Sequence, residues 1–203
     1  MHTAACQAPL YLDVNTARLG VDLMTLNGGK IHGPKQSGIL YKKAGIVLKP
    51  TIVGGGQEWG LRSGTENVAF AVGFAEALTR ATDKTHTNAK EVAQLRDYMI
   101  GKLQQRFDGE ISGHLKQRIA NNVHVIFPGS DNERVLFALD DLGVDAAAGS
   151  ACSASSDTSS HVLLAMGKSD EEARASIRMT LGVSTTQEDV DIALEALEKA
   201  LKA

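Results

Sequence analysis

The sequence predicts an α/β protein in two lobes, and three features of its 203 residues carry that prediction. Up to about Thr65 the chain is dense in glycine and broken into short apolar runs. From about Asn67 onward, helical periodicity alternates with short strand-like runs rich in β-branched residues. A hydrophobic content of 43% is enough for one good core, or for two lobes that share an interface, and no internal repeat or low-complexity tract breaks the pattern.

In chain order, Val21-Asp22-Leu23-Met24-Thr25-Leu26 reads as a buried strand and Gly38-Ile39-Leu40-Tyr41 as a second. Gly54-Gly55-Gly56 marks a loop where the backbone must bend or approach something closely. From Thr65 the spacing of Val68, Ala71, Val72, Ala75 and Leu78 predicts a helix with one apolar face. A second helix runs through Val92, Leu95, Met99 and Leu103 to Phe107. There follow a strand from Val123 to Phe127, a helix from Glu133 to Leu142 and the small-residue loop Gly149-Ser150-Ala151-Cys152. A strand from Ile177 to Leu181 and a last helix from about Gln187 to Leu201 complete the pattern.

A net charge of −3 gives no electrostatic reason to expect nucleic acid or an anionic membrane as the main partner. Lys42, Lys43 and Lys49 read as a solvated face. No stretch approaches the roughly 20 apolar residues of a membrane span, and His2 and Thr3 do not begin a signal region. A cytoplasmic location is the default. Cys6 and Cys152 are too few and too far apart for a disulfide framework. The histidines lack metal-ligand spacing, so no bound metal is expected, and neither a phosphate-binding P-loop nor a dinucleotide fingerprint occurs. The chain opens inside Met1-His2-Thr3-Ala4-Ala5-Cys6-Gln7 with no supporting element before it, so it reads as part of something longer.

The candidate chemistry lies in loops. Lys30, in Asn27-Gly28-Gly29-Lys30-Ile31-His32-Gly33-Pro34-Lys35, follows a strand and is flanked by glycines that let a cofactor approach. It is either a Schiff-base lysine or a solvated lysine in a Gly-rich turn. Cys152 sits in Gly149-Ser150-Ala151-Cys152-Ser153-Ala154-Ser155-Ser156, whose small residues leave a thiol accessible, so it is a reactive thiolate or a passive thiol in equal measure. Cys6, among Ala4, Ala5 and Ala8, reads as a passive core thiol. Arg178, in the alternating strand Ser176-Ile177-Arg178-Met179-Thr180-Leu181, either snorkels to the surface or presents its fork to a carboxylate. The glycine-rich run from Gly54 ends on Thr65, at a helix start that suits an anion or simply caps the helix.

Taken in order, these loops resemble the class V, fold-type-I pyridoxal-phosphate enzymes, and within them the cysteine desulfurases, over nearly the whole chain. The resemblance rests on five segments: His2-Thr3-Ala4-Ala5-Cys6-Gln7, Gly29-Lys30-Ile31-His32-Gly33-Pro34-Lys35, Gly56-Gln57-Glu58-Trp59-Gly60-Leu61-Arg62-Ser63-Gly64-Thr65, the Gly149 to Cys152 loop and Ser176-Ile177-Arg178. It is to the C-terminal portion of the family pattern only. It implies a fold-type-I transferase fold with a partial large-domain sheet over residues 1–66 and a complete small C-terminal α+β domain over 67–203.

The resemblance also implies pyridoxal 5'-phosphate as cofactor, with its aldehyde on Lys30, its ring oxygen at Gln7, and its phosphate at Asn27 and at Thr65 of the partner in a homodimer. L-cysteine would be held through Arg178, and Cys152 would accept the sulfur as a persulfide for an acceptor or iron-sulfur scaffold protein. Four positions depart from the family. Ala4 stands in place of an Asp that pairs with the pyridine nitrogen, Gly29 in place of a common His, Asn27 in place of a common Ser and Trp59 in place of an Arg. Two other readings therefore stand beside the desulfurase. One is a non-catalytic domain of the family that acts in dimerisation or partner binding. The other is a selenocysteine lyase or an aminotransferase-like relative. Open strand edges would favour dimerisation, domain swapping or aggregation.

Overall fold

The computed structural model describes residues 1–149 and 159–202. They form two compact units, Met1–Asn88 and Ala89–Ala203. The sequence places the division near residue 67; the units divide after α2 (Val68–Asp83), which packs on the turns of the first unit.

In the first unit, β1 (His2–Ala4) leads through a turn at Ala8–Leu10 and the short α1 (Thr16–Leu19) to β2 (Leu23–Asn27). The turn at Gly28–Lys30 follows at once, and β3 (Gly38–Lys42) then doubles back. The sheet order is β1-β2-β3, with β1 parallel to β2 and β3 antiparallel to it. A parallel neighbour requires a crossover, which the 5–22 segment provides. Along β2, Met24 and Leu26 are buried while Leu23 and Thr25 are not, which is the period-2 pattern of a sheet with one covered face. Each buried side chain contributes about 1.5–3 kcal/mol.

α2 packs on the turns at Ala8–Leu10 and Gly28–Lys30, but it does not bury the face expected from Val68, Ala71, Val72 and Ala75. Those four residues are exposed, Leu78 of the same expected face is half-buried, and Phe74, Ala77 and Ala81 are buried. The helix is apolar around most of its circumference, so periodicity had two faces to choose between. Gly73 decides the choice, because a Cβ there would come within 2.6 Å of the Pro34 ring; only a glycine lets that ring lie against the helix. The N-cap is Asn67, whose side chain accepts from the Phe70 N–H, and Thr65 lies outside the helix, not at its cap. Thr85 Oγ1 donates to Pro9 O at 2.7 Å and so ties the far end of this helical run to the turn after β1.

The second unit is built on α3 (Thr85–Arg106), which begins at the end of the first unit, and on the antiparallel sheet β4 (Glu110–Ile111), β5 (Asn122–Ile126) and β6 (Ser176–Thr180). Between β5 and β6 lie α4 (Asn132–Asp141), α5 (His161–Ala165) and α6 (Asp170–Arg174); α7 (Gln187–Lys202) follows. Val123, Val125 and Ile177 are fully buried on one sheet face, and Leu103, Val135, Leu194 and Leu197 are equally buried on the helices. Asp131 caps α4 by accepting from Glu133 and Arg134 N–H, and Ser169 with Glu172 forms a capping box on α6. Among the described residues no helix is long and apolar enough to cross a membrane.

Candidate functional site

The first unit concentrates its chemistry at one end of its sheet. Ala4 of β1 pairs with Thr25 of β2, and the Ala5 N–H continues the ladder to Thr25 O at 2.9 Å. Both parallel strands therefore end at the same edge, with Gln7 beyond the one, and Asn27 as the last residue of the other with Gly29 and Lys30 beyond it. In open α/β sheets, ligands bind outside the carboxyl ends of parallel strands. Gln7, Asn27 and Lys30 are all exposed there.

The lysine turn is held firmly. Gly28 N donates to Ser37 O at 2.8 Å, Ile31 and Gly33 N–H both return to Gly28 O, and Ser37 Oγ donates to Pro34 O at 2.6 Å. Two of the flanking glycines serve packing, not the approach of a cofactor as the sequence suggests. A Cβ on Gly28 would collide with Ser37 Oγ and reach 3.0 Å from Phe74, and one on Gly33 would reach 2.9 Å from Ala77. Gly29 is different: it is exposed, and its nearest obstacle is Asn27 Oδ1 at 3.4 Å. Room for a ligand beside Lys30 is thus on the Gly29 side.

Pyridoxal phosphate asks for a primary amine for its aldehyde, a donor for its ring oxygen and an acid for its ring nitrogen. The exposed amine of Lys30 and the exposed amide of Gln7 meet the first two, and Asn27 adds a polar amide at the same edge. Position 4 offers only a methyl group, on the side of β1 where His2 Nε2 meets Thr25 Oγ1 at 2.9 Å. The donor set fits the cofactor as an aldehyde anchor and lacks the acid at position 4. Cys6 is half-buried, with Sγ 3.9 Å from Thr25 O. Thr65 is exposed in the loop before α2. A groove of about 870 Å³, lined by Ile39, Leu40, Tyr41, Leu48, Trp59 and Arg62, opens beside β3 and does not include Lys30.

In the second unit Arg178 occupies the centre of β6, half-buried, opposite His124 of β5. Its backbone is paired on the other side as well: Arg178 N donates to Ala147 O at 2.7 Å and Ala147 N to Arg178 O at 3.1 Å. The chain that leads to Gly149 therefore leaves from beside Arg178. Cys152 lies outside the described residues. Among the described residues no group of His, Cys, Asp and Glu is arranged to hold a metal ion.

Sequence reasoning named β5 but passed over His124. Its Nδ1 lies 2.7 Å from Ser112 Oγ. Burial first, then the charges of Arg178 and Arg118, push its pKa down from 6.5 to about 4, so the ring is neutral at pH 7. The signal available in the sequence was a lone ring at an inner strand position flanked by valines, which alternation assigns to the face opposite the core.

The sequence pattern of the aminotransferase class-V family matches residues 1–193. Cysteine desulfurase IscS 1 of Archaeoglobus fulgidus is 39% identical over 197 residues, which are 97% of this chain and 52% of that protein. The crystal structure of a NifS-like protein from Rickettsia africae superposes with a TM-score of 0.90 at 30% identity, covering 100% of this chain and 53% of that one. The structure of SspA in complex with cysteine superposes with a TM-score of 0.68 at 30% identity, over 91% of this chain and 51% of its own. The chain thus spans about half the length of the relatives it matches. Its fold is that of the NifS-like fold-type-I enzymes, with a partial sheet in the first unit.

Proposed function

Because the chain belongs to the aminotransferase class-V family, we propose that it carries the lysine, cysteine and arginine of a pyridoxal-phosphate-dependent cysteine desulfurase. Such an enzyme converts L-cysteine to L-alanine and leaves the sulfur as a persulfide on Cys152, for an acceptor or iron-sulfur scaffold protein. The observation that carries this reading is Lys30, exposed in a tightly bonded turn at the edge where two parallel strands end, with Gln7 at the same edge. The names of the IscS relative and of the cysteine-bound SspA structure point to the same substrate.

When bound, pyridoxal phosphate supplies an electron sink that makes the substrate C–S bond labile. In this reading Lys30 holds its aldehyde and then moves protons at the substrate Cα and Cβ. Gln7 would hold the ring oxygen, Asn27 the phosphate, and Thr65 the phosphate of the partner's cofactor in a homodimer. Arg178 offers its planar fork to the substrate carboxylate. Cys152 as thiolate attacks the substrate sulfur: an S–S bond forms, the Cβ–S bond breaks, and Lys30 delivers the proton that completes alanine.

Borohydride reduction of the chain mixed with pyridoxal phosphate tests the first step. Peptide mass analysis should find the pyridoxyl adduct on Lys30, and cysteine should yield alanine with a persulfide on Cys152. A folded chain labelled elsewhere, or nowhere, overturns the reading. Ala4 favours a second reading, a non-catalytic domain that serves dimerisation or partner binding, because a ring nitrogen without an acid makes a weaker electron sink. Ala4→Asp separates the two: an enzyme limited at this position gains turnover, whereas a non-catalytic domain stays colourless. Comparing turnover of cysteine and selenocysteine separates a desulfurase from a lyase.

A further inference from the structure

The face of the β4-β5-β6 sheet that carries Arg178 also carries a polar cluster with no role in the reading above. β5 and β6 pair so that His124 stands directly opposite Arg178, which puts the two side chains on one face with Cβ atoms about 5 Å apart. Ser112, just past β4, brackets His124 from the other side. Its N–H donates to His124 O at 3.0 Å and its Oγ lies 2.7 Å from Nδ1. Arg118 braces Ser112 in turn, donating to Ser112 O at 2.7 Å and Asn122 O at 3.3 Å. The guanidinium of Arg118 is thus committed to backbone oxygens. Arg178, by contrast, has its N–H and its C=O both bonded to Ala147, and no carboxylate pairs with its side chain among the described residues.

We propose that His124, oriented by Ser112, is a positioning residue for Arg178: a neutral ring that borders the guanidinium without occupying its fork, and so leaves the fork free for a substrate carboxylate. The other choices at this place are worse for such a site. An aspartate or glutamate would form a bidentate pair with Arg178 and compete with the ligand. A lysine or arginine would repel it. The ring resists becoming a cation itself, since burial, Arg178 and Arg118 all oppose its protonation. The groups that face it are Arg178 from β6, Arg118 from the turn before β5 and Ser112 from the end of β4.

The inference rests on the reading of Arg178 as the carboxylate ligand, and two measurements on the full chain keep the two apart. The first needs neither cofactor nor turnover. Histidine ring resonances followed against pH should show His124 neutral down to about pH 4, and in Arg178→Met its midpoint should move up towards 6.5, because one of the opposing charges is gone while burial remains. An unchanged midpoint in a folded Arg178→Met overturns the proposal. The second is steady-state turnover of L-cysteine. His124→Glu should raise KM about tenfold or more with kcat little changed, while His124→Asn, neutral and similar in reach, should stay within about threefold of the parent. Equal losses in both variants, or no change in KM for His124→Glu, also overturn it. A chain that turns over no cysteine defeats the desulfurase reading, and the titration alone then decides whether His124 and Arg178 sense each other.

Discussion

The two units hold themselves together in different ways. The second seals its core: Leu103, Val123, Val125, Val135, Ile177, Leu194 and Leu197 are shielded completely, with helices closing over one face of a continuous antiparallel sheet. The first has a smaller buried set around Met24, Leu26, Ile31 and Phe74, and it leaves Val47, Val53, Trp59, Val68 and Val72 in solvent. Its cohesion depends on close backbone contacts at glycines and on a loop laced by hydrogen bonds. The comparison teaches that burial of side chains secures the second unit, whereas the first relies on a few tight approaches around the lysine turn.

The largest test of this contrast is Leu194→Ala. It empties a fully buried position and should cost the second unit about 2–5 kcal/mol. Hydrogen exchange should show the loss in amides of α4, β5, β6 and α7; a loss spread evenly over residues 1–88 would erase the distinction between the units. Acid comes next. His124 takes its proton at about 4 when folded and at 6.5 in its unperturbed state, so between those values the unfolded chain binds more protons. Stability of the second unit is therefore full above pH 6.5 and declines as pH falls towards 4, by about 3 kcal/mol at most. Urea midpoints measured across that window should fall with pH, and the slope should flatten in His124→Asn.

Gly28→Ala should cost the first unit about 1–3 kcal/mol, since the new methyl group meets Ser37 and Phe74. The loss should appear as faster exchange around the lysine turn, and a neutral result would show that this close approach is not what holds the unit. The smallest effect belongs to Asp131→Ala, which removes the cap on α4 and should lower stability by about 1 kcal/mol, visible as a small drop in Tm.

Long elements were legible in the sequence and short ones were not. The strands at Gly38, Val123 and Ile177, and the helices ending near Leu142 and Leu201, lie within a residue or two of β3, β5, β6, α4 and α7, whereas the helix read through Val92 to Phe107 matches α3 at its end only, since α3 starts at Thr85. β1, α1, β4, α5 and α6 are too short to show a period; β1 and β4 exist because neighbouring strands pair with them, and α1 and α6 are single turns held by local caps. At the candidate site, Lys30 was readable as a lysine after a strand and Arg178 as a charge inside an alternating one. His124 was not, because its meaning depends on cross-strand register with Arg178 and on Ser112 from another strand.

By itself the sequence determined the alternation of elements and the family, and it singled out Lys30, Cys152 and Arg178 as candidates, since these depend on residue type and local order. Only the tertiary structure decided which face of α2 is buried, that Gly28 and Gly33 are packing glycines, and that a neutral histidine stands beside Arg178. Those are consequences of distance between residues far apart in the chain, and periodicity carries no information about distance across a fold.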